Sequence, residues 1–356
     1  MRASRRPIRP RRAPRERTGR ERPADGGAVP ARSPELLLER ALERRTALLA
    51  DPRTTAWRLF HSTADGIDGL VIEKLGDVLV VQVHEGRLRL ADPVLRRLCE
   101  HCMQRFSARA VYRKLFVRER STRQPEIEAL HNDPQPWLGR AVEPQLTVLE
   151  NGVRLIVRPY DGYATGLYLE HRENRRRVRE LAAGRRVLNA FSYTCAYSVF
   201  ARLGGAAGVT SVDISGKPLE WGRQNFAANG LEPAEDVFIR SDVLDYLRRA
   251  CRRRTLFDLA ILDPPTFSRR KGTKRVFSLR RDLGELLAGT IGLLESGGLL
   301  LLCCNHRPTT RELLIRTAAT AARTAGRAVR VLERPELPPD FHGDPEFAKS
   351  VLLRVD

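Results

Sequence analysis

Five short polar segments, each directly after an apolar run, carry the side chains of this chain that could do chemistry. The first reads Asn189-Ala190-Phe191-Ser192-Tyr193-Thr194, and a second apolar run ends at Asp213. Ser241-Asp242, Asp263-Pro264-Pro265-Thr266-Phe267 and Cys303-Cys304-Asn305-His306-Arg307 follow. An acid at the second of these places can accept hydrogen bonds from a ribose diol, and Asp242 is placed to receive an adenine amino group. A nicotinamide dinucleotide would use the first acid too, but it also needs a G-x-G-x-x-G turn that lets backbone approach a pyrophosphate. The first segment lacks that turn, so the pattern points to an adenosine ligand with no phosphate to hold, S-adenosylmethionine. The D-P-P turn supplies a rigid wall beside the transferred methyl, because proline fixes φ. Phe267 offers an aromatic face on which a base can stack.

Ligands of open α/β sheets lie beyond the carboxyl ends of the strands, so each segment implies a strand before it. Apolar periodicity predicts strands at 186–190, 208–212, 237–240, 259–262 and 299–303, with helices at 196–202, 217–229, 243–250 and 279–294. Their alternation from residue 175 onward is the signature of an α/β fold, a Rossmann-like parallel sheet covered on both faces. Upstream, Ser33-Pro34 opens a helix whose apolar face is Leu36, Leu37, Leu38, Ala41, Leu42, Leu48 and Leu49. Strands at 69–72 and 78–83 around Leu75-Gly76-Asp77, a helix at 93–106 and a strand at 110–113 read as a small α+β module. The polar stretch 121–136 marks its end, and a hairpin at 146–157 turns on Asn151-Gly152. The expected organisation is a disordered basic tail at 1–33, an accessory α+β domain at 34–135 and a catalytic domain at 136–356.

The chain has 356 residues and a formal net charge of +20. Eleven Arg stand against three acids in residues 1–33, which leaves about +12 on the remainder. Lys and Arg that neutralise phosphates release condensed counterions, so a body this basic favours a polyanionic partner. The tail is rich in Arg, Pro and Gly and cannot bury enough apolar surface to offset its ordering entropy. No apolar run approaches the roughly 20 residues that span a bilayer, and no secretory signal opens the chain. No membrane partner and a cytoplasmic location are therefore expected. Cys99 and Cys102 form a lone C-x-x-C, and two ligands do not close a tetrahedral zinc site, so no metal is expected.

Six segments together resemble the class I methyltransferases of the 23S ribosomal RNA large-subunit family, those that make 7-methylguanine or 5-methylcytosine. They are A-D-G-I-D-G-L-V-I-E-K-L-G-D (64–77), A-T-G-L-Y-L-E-H-R (164–172), L-N-A-F-S-Y-T (188–194), V-D-I-S (212–215), L-E-W-G-R-Q-N-F-A-A-N-G-L (219–231) and D-P-P-T-F-S (263–268). The resemblance covers residues from about 53 to the carboxyl terminus. It implies a class I methyltransferase sheet behind a small α+β domain, S-adenosylmethionine as methyl donor, and 23S ribosomal RNA or a large-subunit precursor as substrate. It also implies that Asn189, Phe191, Ser192, Asp213, Ser215, Asp242 and Asp263 line the cofactor site. Arg172 would hold the methionine moiety, pairing with its carboxylate. Asp263 and Pro264 would frame the methyl, Phe267 and Asn305 would hold a flipped base, and Arg307 would lie near a phosphate. Two positions depart from the family pattern. Cys195 replaces a glycine, which makes a positive φ harder to adopt, and Glu170 replaces a shorter acid.

The fifth segment decides which base is modified. Cytosine C5 is a poor nucleophile, and its methylation needs a thiolate to add at C6. Guanine N7 carries an in-plane lone pair and needs only positioning in line with the sulfonium. Aligned on Thr310-Arg311-Glu312-Leu313, the cytosine enzymes' nucleophile falls at Asn305, whereas C-C-N-H-R fits the guanine enzymes' S-N-N-x-R. Guanine N7 is favoured, and a one-position slip would restore a cytosine mechanism on Cys304. His306 suits a base or an orienting group. Residues 269–275, R-R-K-G-T-K-R, suit a mobile loop gripping RNA backbone. Two readings from other classes remain. A small-molecule methyltransferase would keep the sheet without needing the basic loop or accessory module. A non-catalytic RNA-binding assembly factor would have lost Asp213, Asp242 or the D-P-P turn, and all three are present.

Overall fold

The computed structural model describes residues 33–117, 124–232, 237–269 and 276–356. The expected tail, to residue 32, and residues 270–275 of the expected basic loop lie outside the described residues. Residues 34–356 form one compact unit.

Its amino-terminal part is a sheet of β1 (Ala56–His61), β2 (Leu70–Leu75), β3 (Val78–His84), β4 (Ala110–Phe116) and β5 (Leu138–Gly139), paired in that order. Helices α1 (Pro34–Glu43), α2 (Thr46–Ala50), α3 (Asp92–Phe106) and α4 (Gln124–His131) accompany it. Alternation sends Trp57, Leu59, Ile72, Leu79, Val81 and Val111 to one face, where they pack on Leu38, Ala41 and Leu42 of α1 and on Leu95, Leu98, Cys99 and Cys102 of α3. Both cysteines of the lone C-x-x-C are therefore core residues, and burial raises both thiol pKa values, that of Cys102 to about 12.

Three expectations are corrected here. The single helix from Pro34 breaks at Arg45, whose buried guanidinium donates to the carbonyls of Ala41 and Arg58 and to Asp65, leaving Leu36 and Leu49 exposed. The polar stretch 121–136 holds a helix, α4, anchored by buried Ile127 and His131. The boundary at 135/136 cuts through the first sheet, because β5 lies beyond it and pairs with β4.

The hairpin of β6 (Leu146–Glu150) and β7 (Val153–Val157) is as expected, with Asn151 and Gly152 at φ 49° and 80°. Asn and Gly tolerate these left-handed values, which match the twist of the flanking strands.

The second sheet is built from β8 (Arg186–Ala190), β9 (Gly208–Asp213), β10 (Val237–Arg240), β11 (Phe257–Leu262), β14 (Leu294–Cys304), β15 (Val329–Glu333) and β16 (Lys349–Val355). Its order is β10-β9-β8-β11-β14-β16-β15, and β16 runs antiparallel to its two neighbours while the other six strands share one direction. A separate pair, β12 (Phe267–Arg269) and β13 (Val276–Ser278), flanks the site. Helices α5 (Arg172–Leu181), α6 (Ala196–Leu203), α7 (Gly216–Ala228), α8 (Val243–Arg252), α9 (Leu279–Ile291) and α10 (Arg311–Thr324) complete the layers. The α8, α9 and α10 side chains cover Leu188, Ala260, Leu262 and Leu300, and α5 and α6 cover Val187, Leu259, Ile261 and Leu301. The Rossmann-like sheet expected from the sequence is thus present, and the order reverses between β8 and β11, where a ligand crevice opens.

The two sheets share a core. Ala56, Leu75 and Val80 on the second face of the first sheet pack with the hairpin, Val199 and Phe200 of α6, and Leu219 and Phe226 of α7.

Candidate active site

The carboxyl ends of β8, β9, β11 and β14 converge on a cleft of about 290 Å³. Of the residues singled out in the sequence, Phe191, Ser192, Asp213, Asp263, Pro264, Phe267 and Asn305 line it. The loop after β8 is bent hard. Phe191, Tyr193 and Cys195 adopt φ of 61°, 48° and 59° without a glycine, and each such residue costs about 1–3 kcal/mol unless the surroundings hold it. Three contacts hold it here. Ser192 N–H donates to the Val212 carbonyl at 3.0 Å, Tyr193 N–H to Asp213 Oδ2 at 3.0 Å, and Cys195 N–H to the Ser192 carbonyl at 2.8 Å. Cys195, in the family's glycine position, keeps the positive φ. Its Sγ occupies space left by Gly222 of α7, where an added Cβ would sit 2.5 Å from that sulfur.

Asp213 also accepts the Ser215 N–H through Oδ1 at 2.9 Å. Burial raises its pKa, against the backbone donors that lower it. Ser215 itself contributes that N–H and does not line the cleft. Asp242 caps α8, accepting from Asp245 N–H at 3.1 Å, and lines a small adjoining recess with Phe191, Ile214 and Ser268.

Besides Ser215, three residues are placed otherwise than expected. Arg172 is buried away from the cleft, its guanidinium bonded to Asp340, which turns the start of α5 inward. Asn189 donates to Ser198 Oγ at 2.8 Å and ties β8 to α6. Cys304, on the cleft-facing strand β14, is fully buried and outside the lining, and burial raises its thiol pKa. The next residue, Asn305, is the one that reaches the cleft. His306 bonds Thr309 Oγ1 at 2.8 Å within the turn, and Arg307, 63% exposed, pairs with Asp344.

The segment 166–175 contributes Glu170, the longer acid noted in the sequence, and three groups that sequence reasoning passed over, Tyr168, His171 and Arg175; all four line the cleft. The A-T-G-L-Y-L-E-H-R string flagged the segment, but not which of its side chains turns inward. His171 Nε2 lies 3.2 Å from Asp263 Oδ2. Burial opposes its charge, yet Asp263, with Cys303 and Glu170, outweighs burial and pushes the pKa up to about 10 from 6.5. Such a group stabilises the fold fully below pH 6.5, and the contribution is lost as pH rises to about 10. The denaturant midpoint of the wild-type protein should therefore decline across that window more than that of His171→Asn. Parallel declines would show that His171 carries no charge in the folded state.

Among the described residues no three His, Cys, Asp or Glu side chains group to hold a metal, and no helix is long and apolar enough to cross a membrane.

Residues 58–354 match the family described as S-adenosylmethionine-dependent methyltransferase. A ribosomal RNA large subunit methyltransferase of Deinococcus radiodurans is 33% identical over 90% of this chain and 78% of its own. Ribosomal RNA large subunit methyltransferase K/L of Methylococcus capsulatus is 41% identical over 56% of this chain and 26% of its own. A crystal structure of a protein assigned as a methyltransferase, complexed with SAH, has a TM-score of 0.78 at 27% identity, covering 90% of this chain and 80% of that one.

Proposed function

The chain belongs to the S-adenosylmethionine-dependent methyltransferase family, and from that membership we propose that it methylates N7 of a guanine in 23S ribosomal RNA or a large-subunit precursor. S-adenosylmethionine is the methyl donor and supplies an electrophilic methyl on a cationic sulfonium. The cleft suits it. Three carboxylates, Glu170, Asp213 and Asp263, face one space together with the rings of Tyr168 and Phe191, a match for a cation carrying a ribose and a base.

Asp213, already aimed by two backbone N–H donors, takes the ribose hydroxyls, and Asp242 faces the adenine from the adjoining recess. Phe191 and Ser192 bound the methionine arm, and Glu170 suits its ammonium group. Asp263 and Pro264 stand beside the methyl. Phe267, 68% exposed at the rim, stacks on the extruded base, and Asn305 hydrogen-bonds its edge. The N7 lone pair forms the new bond to carbon as the carbon–sulfur bond breaks. No proton has to leave N7, so the step needs positioning rather than a general base. The names of the relatives and the net charge of +20 support ribosomal RNA as the substrate, which would put the enzyme in the cytoplasm.

The observation that carries the guanine reading is the arrangement at the end of β14, where Asn305 faces the cleft and Cys304 is sealed behind it. A cytosine mechanism would need the Cys304 thiolate at C6, and burial disfavours that thiolate. Cys304→Ala should transfer labelled methyl to ribosomal RNA within a fewfold of wild type, and Asn305→Ala should lose roughly tenfold or more in kcat/KM. Loss of all transfer in Cys304→Ala would contradict the reading.

A further inference from the structure

The motif at residues 64–77 has no place in the cleft, yet one of its residues lies in a second recess beside it. On the face of the first sheet that meets the catalytic sheet, β1 and β2 pair Arg58 with Glu73, and β3 and β4 pair Gln82 with Lys114. One end of this face is apolar and joins the shared core through Ala56, Leu75 and Val80. The other end is polar, and there the packing opens into a recess of about 230 Å³.

Its polar side is fixed. Arg58 donates to Glu73 Oε1 at 2.7 Å and lies over the rings of Phe341 and Phe347 at 4.1 and 5.0 Å. Glu73 is also held through Oε2 by Gln82 Nε2 at 3.1 Å. Arg58 takes both sites on Oε1 and Gln82 one on Oε2, which leaves about one acceptor site on the carboxylate, and the Gln82 amide keeps a carbonyl and a second N–H, so ordered donors and acceptors line the space. The other walls are largely aromatic, formed by Phe116, Tyr163 and Tyr168. Lys114 Nζ, donating to the Gly162 carbonyl, pins the segment that carries Tyr163. Leu167, Tyr168 and Glu170 line both this recess and the cleft, so one segment of chain separates the two.

Rings on several sides with a carboxylate and an amide at one edge are what an unstacked base requires: a π-face to stack on and an edge reader. We propose that the recess receives a second base of the RNA, that of a nucleotide flanking the methylated one, stacked on Phe116 or Tyr168 and read at its edge by Gln82 and Glu73. The proposal rests on the reading of the enzyme as an RNA methyltransferase. It gives the first sheet a direct part in choosing the substrate.

The test uses the full chain and an RNA fragment containing the methylated nucleotide, with each nucleotide on either side replaced in turn. Wild type should lose roughly 10- to 100-fold in kcat/KM when one flanking base is replaced. Gln82→Met, which keeps the length and removes the amide, should lose that preference, and Phe116→Leu should weaken it. Both variants should bind S-adenosylhomocysteine with the wild-type Kd, which also reports that they are folded. The proposal is overturned if wild type shows no flanking preference, or if both variants keep it. Failure of wild type to methylate any ribosomal RNA would instead remove the RNA reading on which the proposal stands.

Discussion

Replacing Asp263 by Asn should lower kcat/KM for methyl transfer by roughly 10²- to 10³-fold while leaving the fold in place. Strand β11 is buried from Leu259 to Leu262 and delivers Asp263 at its carboxyl end, where Pro264 and Pro265 fix the direction of the chain. The carboxylate lies 3.2 Å from His171, and in the proposed mode of binding it would also face the sulfonium of the donor. Asparagine keeps the shape and removes the charge. His171 would then sit buried without its counter-ion, and either its charge would oppose the donor or its proton would leave. The double variant His171→Asn/Asp263→Asn removes that uncompensated cation and should recover part of the loss. A change of less than about threefold in Asp263→Asn would mean that the carboxylate is only a strand terminus.

The largest stability effect is expected at Asp340, in the connection between β15 and β16. Its fully buried carboxylate accepts from the Arg172 guanidinium and from the Arg58 backbone N–H at 2.8 Å, and its carbonyl accepts from Arg45 at 3.2 Å. Three elements distant in sequence, the break after α1, β1 and the start of α5, are joined at this residue. Asp340→Asn removes the buried carboxylate that Arg172 hydrogen-bonds and leaves only the longer 3.6 Å contact with Glu173, which costs about 3–5 kcal/mol, measurable as a shift of the guanidinium unfolding midpoint. Arg172→Lys should also be less stable, because an ammonium cannot reproduce the two-pronged contact. Its Kd for S-adenosylhomocysteine should stay at the wild-type value. A collapse of that affinity without loss of stability would return Arg172 to the cofactor site.

Much of the catalytic sheet was legible because its strands are short apolar runs with polar ends. The strands predicted at 186–190 and 237–240 match β8 and β10 at both ends, and Asn151-Gly152 marked the hairpin. Apolar runs that alternate with helical segments mark a parallel sheet, so the strands found were those that take part in this alternation. The pattern did not find β15 and β16, whose antiparallel pairing depends on partners elsewhere in the chain. The break at Arg45 was hidden for a related reason: a buried arginine looks like surface until Asp65 is brought to it.

In the site, residue types at strand ends were readable, and side-chain direction was less so. Asp213, Asp263 and Phe267 follow from being the first polar or aromatic groups beyond their strands. Arg172 and His171 are neighbours in one motif, and only the Asp340 contact, 168 residues away in sequence, shows that the arginine turns inward. The same ambiguity separates Cys304 from Asn305. One residue at a strand end exchanges the face presented to the ligand, and with it the chemistry.

The identity of the methylated nucleoside distinguishes the two chemistries directly. Ribosomal RNA methylated by the purified protein with labelled S-adenosylmethionine should be digested to nucleosides and the labelled product identified by mass. The geometry at the end of β14 predicts 7-methylguanosine, made by wild type and by Cys304→Ala alike. Labelled 5-methylcytidine that disappears in Cys304→Ala would contradict it.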